Sequence, residues 1–398
     1  MCFCLPSPVL STLKLLNDAG YEAYVVGGCV RDLLMGTTPH DWDITTSALP
    51  EQTLELFAGH RTINTGLKHG TVTVMMDGMP LEVTTYRVDG TYTDGRHPDS
   101  VTFSRSLTED LKRRDFTINA MAYHPTVGLV DLFDGQHDLR EGIIRCVGDP
   151  HRRFCEDSLR IMRALRFAAT LSFVIESQTE QAIHDFYPSL EQVSAERISA
   201  ELIKLLCGRN ATAILSGFSD VLASILSPIQ ISTVNLPLLK MMDLSPLSRL
   251  TLLLYETNED TAREILQHKL RLSNQLTDDV CAILRHSKAA VPRSDAEILR
   301  LLGQLGAVRA RTLLAIRSAV DNTDYSSQQR RIDQLMQGGA CYTISQLALN
   351  GDDLMAAGIA PGPAIRTTLN LLLEAVITGC CDNNKVALTE YVKRKPVR

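Results

Sequence analysis

Two aspartates separated by one residue, Asp41 and Asp43, have the types and spacing to do chemistry. Side chains on a β-strand alternate between its two faces, so both carboxylates would point the same way. Neighbouring carboxylates repel each other unless a cation lies between them, and Mg²⁺ takes few carboxylates while keeping positions for water and substrate phosphate. The pair therefore predicts a Mg²⁺ site with Asp41 and Asp43 as metal ligands. A solvated strand edge is the alternative.

The stretch that contains the aspartates, VVGGCVRDLLMGTTPHDWDITTS at 25–47, also has the features of a phosphate-binding turn. An apolar strand runs into Gly27 and Gly28, and a short helical segment follows. Glycines let the backbone approach a phosphate closely, and the N–H groups at a helix N-terminus attract anions. A lone glycine pair is usually a simple turn. Beside a carboxylate pair, it predicts phosphoryl or nucleotidyl transfer.

The motifs GGCVRD and DWDITTS together resemble the head of the class II nucleotidyltransferases, the family of the tRNA CCA-adding enzymes and the bacterial poly(A) polymerases. The family usually has alanine at the position of Cys29. The resemblance implies a catalytic head in which Gly28 and Arg31 bind the nucleotide triphosphate. Asp41 and Asp43 would then be the catalytic carboxylates that hold Mg²⁺.

Two further stretches supply candidate residues for the same site. Glu82, in the strand-like run LEVTTYR, would be the third carboxylate of a two-metal site if its strand lies beside the aspartates. A solvated strand residue is the alternative. The run RRDFTINA at 113–120 resembles a second family motif, which implies that Arg114 lies beside the triphosphate or the metal. Without the family, RRD favours a salt-bridge cluster on a helix surface.

A second chemical stretch, FCEDSLRIMRALRFAA at 154–169, predicts a helix. Residues three apart on a helix lie about 60° from each other, so Asp157 and Arg160 would present an acceptor and a donor together. Such a pair could read cytosine or adenine without a template, and an ordinary salt bridge is the alternative. EDxxRxxR resembles the family's base-reading motif, which implies that Arg163 and Arg166 face the phosphates. Arg166 is the weaker assignment, because ideal helix geometry places it about 180° from Asp157.

The polar run at 88–107, VDGTYTDGRHPDSVTFSRSL, lies between these motifs and is too long for an ordinary turn. It predicts a mobile or disordered segment. A flexible loop occupies this place in the CCA-adding enzymes, and relatives that add only the two cytidines lack it. The resemblance therefore implies complete CCA addition.

The elements that position these residues follow from the spacing of the apolar side chains. Helical spacing predicts a first helix over 8–17, and Ser47 is the expected N-cap of a helix that ends at Phe57. A tight turn at Asp77 and Gly78 predicts a hairpin. The expected strands cover residues 24–26, 61–65, 71–76, 81–87, 128–134 and 143–147.

After Pro150 the sequence is helical almost throughout. In SAERISAELIKLLCG at 194–208, Glu196 and Arg197 are expected to brace the structure internally. A Pro-Gly-Pro turn at 361–363 precedes a strongly apolar helix, and this region resembles the short CCA-adding enzymes of Gram-positive type. The other expected helices cover 211–226, 248–254, 262–270, 276–285, 296–305, 308–320 and 326–336.

The predicted fold class is α+β, with a nucleotidyltransferase (polymerase beta-like) mixed-sheet head followed by an all-α neck, body and tail. We expect the catalytic head at 1–148 and a helical neck with base recognition at 149–210. The body would cover 211–322, and a tRNA-binding tail would cover 323–398.

Composition bounds the function more loosely. The 398 residues carry a net charge of −6, so nucleic-acid binding would depend on a local basic face, such as the seven arginines between Arg140 and Arg166. The ten cysteines show no C-x-x-C spacing, so we expect reduced thiols, no zinc and a cytoplasmic location. No run of membrane length and no signal peptide is expected.

Together these features predict Mg²⁺-dependent, template-independent addition of CCA to the 3′ end of tRNA from CTP and ATP, with release of pyrophosphate. A poly(A) polymerase or a partial, A-adding enzyme is the nearest alternative. A catalytically silent RNA-binding protein and a nucleotidyltransferase for small molecules are the others. The oligomeric state stays open, with a homodimer among the alternatives.

Overall fold

The computed structural model describes residues 3–64, 66–89, 101–229 and 235–394. The chain forms two compact units, Met1–Ile231 and Ser232–Arg398. All the candidate residues named above lie in the first unit. The finer division into head, neck, body and tail stays a prediction.

The first unit is built on a seven-stranded mixed sheet with strand order β3-β4-β5-β2-β1-β8-β9. β2 and β5 are parallel, and every other neighbouring pair in this sheet is antiparallel. Two short ribbons, β6 with β7 and β10 with β11, complete the described strands. The strands are β1 Ala23–Val26, β2 Trp42–Thr46, β3 Arg61–Ile63, β4 Thr71–Met76, β5 Met79–Thr85, β6 Arg87–Asp89, β7 Val101–Phe103, β8 Met121–His124, β9 Gly128–Asp131, β10 Ile143–Ile144 and β11 Val174–Ile175.

The helices of the first unit surround this sheet and then continue the chain beyond it. They are α1 Ser7–Asp18, α2 Gly28–Leu34, α3 Pro50–Leu56, α4 Leu107–Lys112, α5 Gly135–Glu141, α6 Pro150–Glu156, α7 Leu159–Leu171, α8 Ser177–Phe186, α9 Ala195–Leu206, α10 Ala211–Gly217 and α11 Ser219–Leu226. The predicted α+β class and the helical character after Pro150 are confirmed.

One face of the sheet packs on the first three helices. Alternate strand residues such as Val25, Ile44 and Leu81 are fully buried there, together with Leu16 of α1 and Phe57 after α3. Burial of such side chains contributes roughly 1.5–3 kcal/mol each relative to exposure. Because neighbours along a strand alternate faces, this buried set leaves Asp43 and Glu82 on the opposite face.

Several predicted boundaries were wrong in instructive ways. Helix α3 begins at Pro50 with Leu49 as its N-cap, and Gln52 accepts the Leu49 N–H at 2.9 Å. Ser47, the predicted cap, instead accepts the backbone N–H of Glu22 at 2.9 Å and fastens the end of β2. The predicted hairpin at Asp77 and Gly78 is confirmed, with φ values of 49° and 80°.

The second unit is helical in its described residues. Its helices are α12 Pro246–Leu253, α13 Glu259–Arg263, α14 Asn274–His286, α15 Asp295–Val320, α16 Ser326–Gln337, α17 Gly351–Ala356, α18 Pro363–Ile377 and α19 Lys385–Arg394. The two helices predicted at 296–305 and 308–320 are confirmed: they meet within α15 at Gly306, whose φ of 74° and ψ of 166° are not helical. The helix predicted at 211–226 is two, because Phe218 leaves the helical conformation. No helix in the described parts of the chain has both the length and the apolar character to cross a membrane.

Candidate active site

The turn between β1 and α2 requires glycine at one position. Gly27 has φ 83°, which disfavours other residues. A Cβ there would lie 3.0 Å from Arg114 Nη1 and 3.6 Å from Asp43 Oδ2. A Cβ on Gly28 would meet only the Arg31 guanidinium at an ordinary 3.5 Å. Gly27 is therefore the position where a side chain would not fit. Because it has none, the Arg114 guanidinium and the Asp43 carboxylate can approach the turn.

The three predicted carboxylates lie on, or directly before, two neighbouring strands. Asp41 is exposed and directly precedes β2, while Asp43 is partly buried within it. Glu82 on β5 is exposed and is the register partner of Asp43 in the parallel pair. The expected position of Glu82 beside the aspartates is confirmed. Its catalytic role stays a prediction.

The charge of Asp43 is disfavoured by its surroundings. Burial raises its pKa to about 6, Arg114 opposes this rise, and Glu82 and Asp41 add to it. Within the described residues, no group of three or more His, Cys, Asp or Glu side chains is gathered closely enough to hold a metal ion. Mg²⁺ commonly binds one or two carboxylates together with substrate phosphates. The oxygen donors and the mutual repulsion at Asp43 therefore fit a hard divalent cation.

A buried acid that the sequence reasoning missed supports Arg114. Asp110 on α4 is fully buried and binds Arg113 at 2.7 Å, Arg114 at 3.4 Å and the Thr45 hydroxyl at 3.1 Å. Burial alone would raise the pKa of Asp110, but the two arginines and these hydrogen bonds lower it. The available signal was an acid three and four residues before two arginines. Asp110 thereby ties α4 to the strand that carries Asp43.

A chain of polar contacts joins the glycine turn to α7. Arg31 binds Asp32 at 2.7 Å and donates to Asn119 Oδ1 at 2.8 Å. Asn119 donates to Asp115 at 3.2 Å, and Asp115 accepts from Arg163 at 2.6 Å. Burial raises the pKa of Asp115, but Arg163, Arg160 and the hydrogen bond from Asn119 together lower it to about 2. Asp115 is therefore ionised at neutral pH and holds Arg163 in place.

Three of the predicted arginines surround one aromatic ring. The guanidinium carbons of Arg31, Arg163 and Arg166 lie 5.2, 5.5 and 3.8 Å from the ring centroid of Phe167. Phe167 is 5% exposed and makes an edge contact with Phe116. A ring face attracts cations, so Phe167 gathers positive charge beside the glycine turn. Arg166 thus lies beside the predicted triphosphate arginines.

The continuous helix predicted through Asp157 and Arg160 is wrong. Helix α6 ends at Glu156 and α7 begins at Leu159, and Asp157 between them is extended, with φ −147° and ψ 103°. Without a continuous helix, neither the 60° spacing to Arg160 nor the 180° displacement of Arg166 applies.

The two side chains have other partners. Asp157 binds Arg197 of α9 at 2.9 Å, so the predicted bracing role of Arg197 is confirmed. Arg160 binds Glu156 at 2.7 Å and donates to the backbone carbonyl oxygens of Arg153 and Arg113. Both residues remain beside the site, but each is held by its own set of protein partners.

The candidate site is identified by the chemistry of its side chains and does not coincide with the cavity described next. A cavity of about 710 Å³ opens near the start of β1 and is lined by residues such as Leu13, Tyr21 and His124, without any candidate residue. The carboxylates, the glycine turn and the arginines lie beyond the other end of that strand. Carboxylates for a cation beside arginines for phosphate form an arrangement suited to nucleotidyl transfer.

Comparison with known proteins agrees with this chemistry. Residues 23–145 match the "Poly A polymerase head domain" family, residues 172–219 match the "Probable RNA and SrmB-binding site of polymerase A", and residues 248–392 match "tRNA nucleotidyltransferase domain 2 putative". The CCA-adding enzyme of Enterococcus faecalis is 38% identical over 96% of this chain and 94% of its own length. That of Lactiplantibacillus plantarum is 38% identical over 98% of this chain and 96% of its own.

The solved structures give the same result for the fold. The Bacillus stearothermophilus CCA-adding enzyme in complex with CTP has a TM-score of 0.85 and 34% identity, and 98% of each chain is covered. The Thermotoga maritima CCA-adding enzyme complexed with tRNA has a TM-score of 0.68 at 21% identity, which supports the fold alone.

Proposed function

This chain belongs to the family of the CCA-adding enzymes, and from that premise we propose that it adds C, C and A to the 3′ end of tRNA. The substrates would be CTP, ATP and a tRNA that lacks part or all of CCA, with pyrophosphate as the second product. The observation that carries the proposal is the match over nearly the whole chain rather than over the catalytic head alone.

The family implies use of a divalent metal, and we propose Mg²⁺ held by Asp41 and Asp43. Glu82 would be the third carboxylate of the same face, since it is the register partner of Asp43. When bound, Mg²⁺ would supply a Lewis acid next to the reacting phosphate. Two carboxylates on adjacent same-face positions support this assignment, because their mutual repulsion is relieved by a cation.

The chain's own groups would bind and orient the triphosphate. The turn at Gly27 and Gly28 leaves space beside the backbone, and Arg31 and Arg114 lie next to it. Arg163 and Arg166 contribute further positive charge around Phe167. Charged hydrogen bonds from arginine to phosphate are roughly twice as strong as neutral ones. The terminal ribose 3′-OH would attack the α-phosphate in line with the departing pyrophosphate.

We propose that Asp157 and Arg160 both contribute to the choice of base, although they do not lie on one continuous helix. Arg197 holds Asp157, and Glu156 holds Arg160. The acceptor and the donor that would face the base are therefore each held by a separate ion pair. A base reader held rigidly by protein partners loses less entropy when the base binds. This arrangement supports discrimination through preformed donors and acceptors.

The rival functions are less well supported. A poly(A) polymerase or a partial, A-adding enzyme would share the head, but the relatives named above are CCA-adding enzymes over nearly their full length. We propose the cytoplasm as the location, in keeping with the nine free cysteines in the described residues.

The decisive experiment supplies tRNA that ends before CCA with CTP alone, with ATP alone, and with both. The proposal expects two cytidines from CTP alone, no addition from ATP alone, and a complete CCA end from both. A long adenosine tail from ATP alone would indicate a poly(A) polymerase. Addition of A only to tRNA that already ends in CC would indicate the partial enzyme.

A further inference from the structure

Glu201 is a carboxylate on the packing face of α9. It is 8% exposed, and Ile198, Leu202 and Leu205 of the same face are buried beside it. A buried carboxylate without a partner is strongly unfavourable, so its partners define what it does. An acid at an apolar helical position was the sequence signal for this residue.

Glu201 faces the two arginines at the middle of α7. Its Oε2 lies 2.5 Å from Arg166 Nε, and its Oε1 lies 3.9 Å from Arg163 Nη1. Arg163 already has a tight partner in Asp115 at 2.6 Å. For Arg166, Glu201 is the carboxylate in salt-bridge range within the described chain. Loss of Glu201 should therefore displace Arg166 and leave Arg163 in place.

Arg166 has the closest ring contact of the three arginines, with its guanidinium carbon 3.8 Å from the Phe167 centroid. Arg31 and Arg163 approach the same ring, so three like charges are held close together. Like charges this close repel unless carboxylates neutralise them. Asp32, Asp115 and Glu201 provide one ion pair for each arginine.

The helix that carries Glu201 is docked rigidly. A Cβ on Gly208, just beyond α9, would lie 2.7 Å from the backbone of Ala169 on α7. The Asn210 N–H also donates to the Ala169 carbonyl at 3.0 Å. Because α7 and α9 cannot separate without losing these contacts, the carboxylate is presented from a fixed support.

We propose that Glu201 is a positioning residue for the nucleotide site, which fixes Arg166 against Phe167 and beside Arg31. The inference rests on the proposed function, because Arg166 must face the bound triphosphate. Glu201 does not touch the nucleotide in this scheme. Its contribution reaches the substrate only through Arg166, and this separates it from a residue that merely stabilises the fold.

The test measures KM and kcat for CTP and for ATP, with saturating tRNA, in Glu201→Gln, Arg166→Met and the double variant. We expect each single change to raise both KM values by about tenfold and to leave kcat within about twofold, because uniform nucleotide binding is lost. The double variant should match Arg166→Met alone, since residues that act as a unit are not additive. Glu201→Asp, which keeps the carboxylate, should raise KM less than Glu201→Gln does. Glu180→Gln, an exposed carboxylate on α8, is the matched control and should equal wild type.

The outcomes separate the two claims. An unchanged KM in Arg166→Met overturns the assignment of Arg166 to the nucleotide site and the inference with it. A raised KM in Arg166→Met, together with an unchanged KM in Glu201→Gln or additive effects in the double variant, overturns the inference alone. If Glu201→Gln fails to fold, Glu201→Asp, which keeps the charge on a shorter side chain, decides. A raised KM with unchanged kcat in Glu201→Asp supports the proposal, and a KM equal to that of wild type overturns it.

Discussion

The carboxyl of Asp43 lies where its negative charge is disfavoured. Burial raises its pKa to about 6 from an ordinary value of 3.8. Between these two pH values the folded protein binds more protons than the unfolded chain, so stability falls as the pH rises through this window. At pH 7 the ionised carboxylate therefore lowers stability by roughly 3 kcal/mol, at 1.36 kcal/mol per pKa unit. A group that reduces stability in this way is typical of a functional site.

We predict that Asp43→Asn abolishes incorporation of both nucleotides and raises Tm in metal-free buffer at pH 7.5. The Tm gain should disappear at pH 4, where the wild-type carboxyl is largely protonated in the folded state. Added Mg²⁺ should raise the Tm of wild type and leave the variant unchanged. Activity assays and calorimetry at both pH values check this.

Two variants serve as comparisons for Asp43→Asn. Asp41→Ala should lose activity without the Tm gain, because Asp41 is exposed. Asp77→Asn, in the exposed hairpin turn, should change neither activity nor Tm. Turnover above about a tenth of wild type in Asp43→Asn would contradict the assignment of a metal ligand.

Base choice gives the second prediction at the residue scale. Asp157→Ala should weaken use of CTP and ATP and raise the relative incorporation of UTP and GTP, because rejection of a wrong base depends on groups left unpaired. The salt bridge to Arg197 offers the competing explanation. If Asp157 only holds α9 in place through this salt bridge, Arg197→Ala should reproduce every effect of Asp157→Ala. Competition assays with all four nucleotides distinguish the two, and an unchanged CTP:UTP preference in Asp157→Ala would exclude base reading by this residue.

At the scale of elements, local patterns predicted strands better than helix ends. The alternating apolar residues of β4 and β5 and the turn at Asp77 and Gly78 fixed their hairpin. The break between α6 and α7 was missed because helical spacing alone does not show it. Asp157 accepts the Leu159 N–H at 3.1 Å, as an aspartate does at the start of a helix, and it also binds Arg197, forty residues later. A local cap and a tertiary contact together outweigh the helical pattern here.

The same limit explains one of the two missed acids. Glu201 lies on a helix whose other inward side chains are apolar, and the arginines that meet it come from α7. Asp110 binds Arg113 and Arg114, three and four residues later, so its signal was local and was overlooked. The motif residues Asp41 and Asp43 could be placed together from sequence because strand alternation is a local property. The register that sets Glu82 beside Asp43 joins two strands far apart in the chain, so its position was an expectation that the structure had to test. Partners across elements are not local, so the network around Phe167 required the structure.

The segment predicted at 88–107 to be mobile or disordered contains the ends of a β-ribbon. Its residues 90–100 lie outside the described part of the chain, but the strands at 87–89 and 101–103 pair as an antiparallel ribbon. The expectation of mobility or disorder is therefore wrong for residues 88–89 and 101–103. Paired strand ends hold the two sides of the segment together and define where it can be shortened.

We predict that deletion of residues 90–98 spares CTP addition and suppresses the final ATP step. Asp89 and Val101 are register partners, so the remaining Asp99 and Ser100 would form a two-residue hairpin turn and preserve the ribbon. Replacement of 90–98 by a Gly and Ser segment of equal length is the control. It keeps the length of the segment and changes only its sequence. Assays with a tRNA that ends in the first C and with a tRNA that ends in the second C separate CTP addition from the final ATP step. Equal loss of both additions would mean that the segment is structural.

At the scale of the whole molecule, the proposed catalytic residues and the expected tRNA-binding residues belong to different compact units. Every candidate side chain lies before residue 202, and the second unit has hydrophobic cores of its own around α15 and α18. The chain carries a net charge of −6, so binding of a polyanion must come from local basic surfaces rather than from overall attraction. Nucleotide binding and tRNA binding should therefore be separable.

We predict that a chain ending at Ile231 binds CTP with a Kd within about threefold of the full chain and binds tRNA at least about tenfold more weakly, because phosphate contacts of the second unit are lost. The slope of log K for tRNA against log salt should become shallower in proportion to those contacts. Isothermal titration for CTP and filter binding for tRNA at several salt concentrations measure both quantities. If the truncated chain keeps full tRNA affinity and an unchanged salt slope, the main tRNA contacts lie in the first unit. Arg140 and Arg152, the exposed arginines in the stretch 140–166, would then be the basic residues to mutate first.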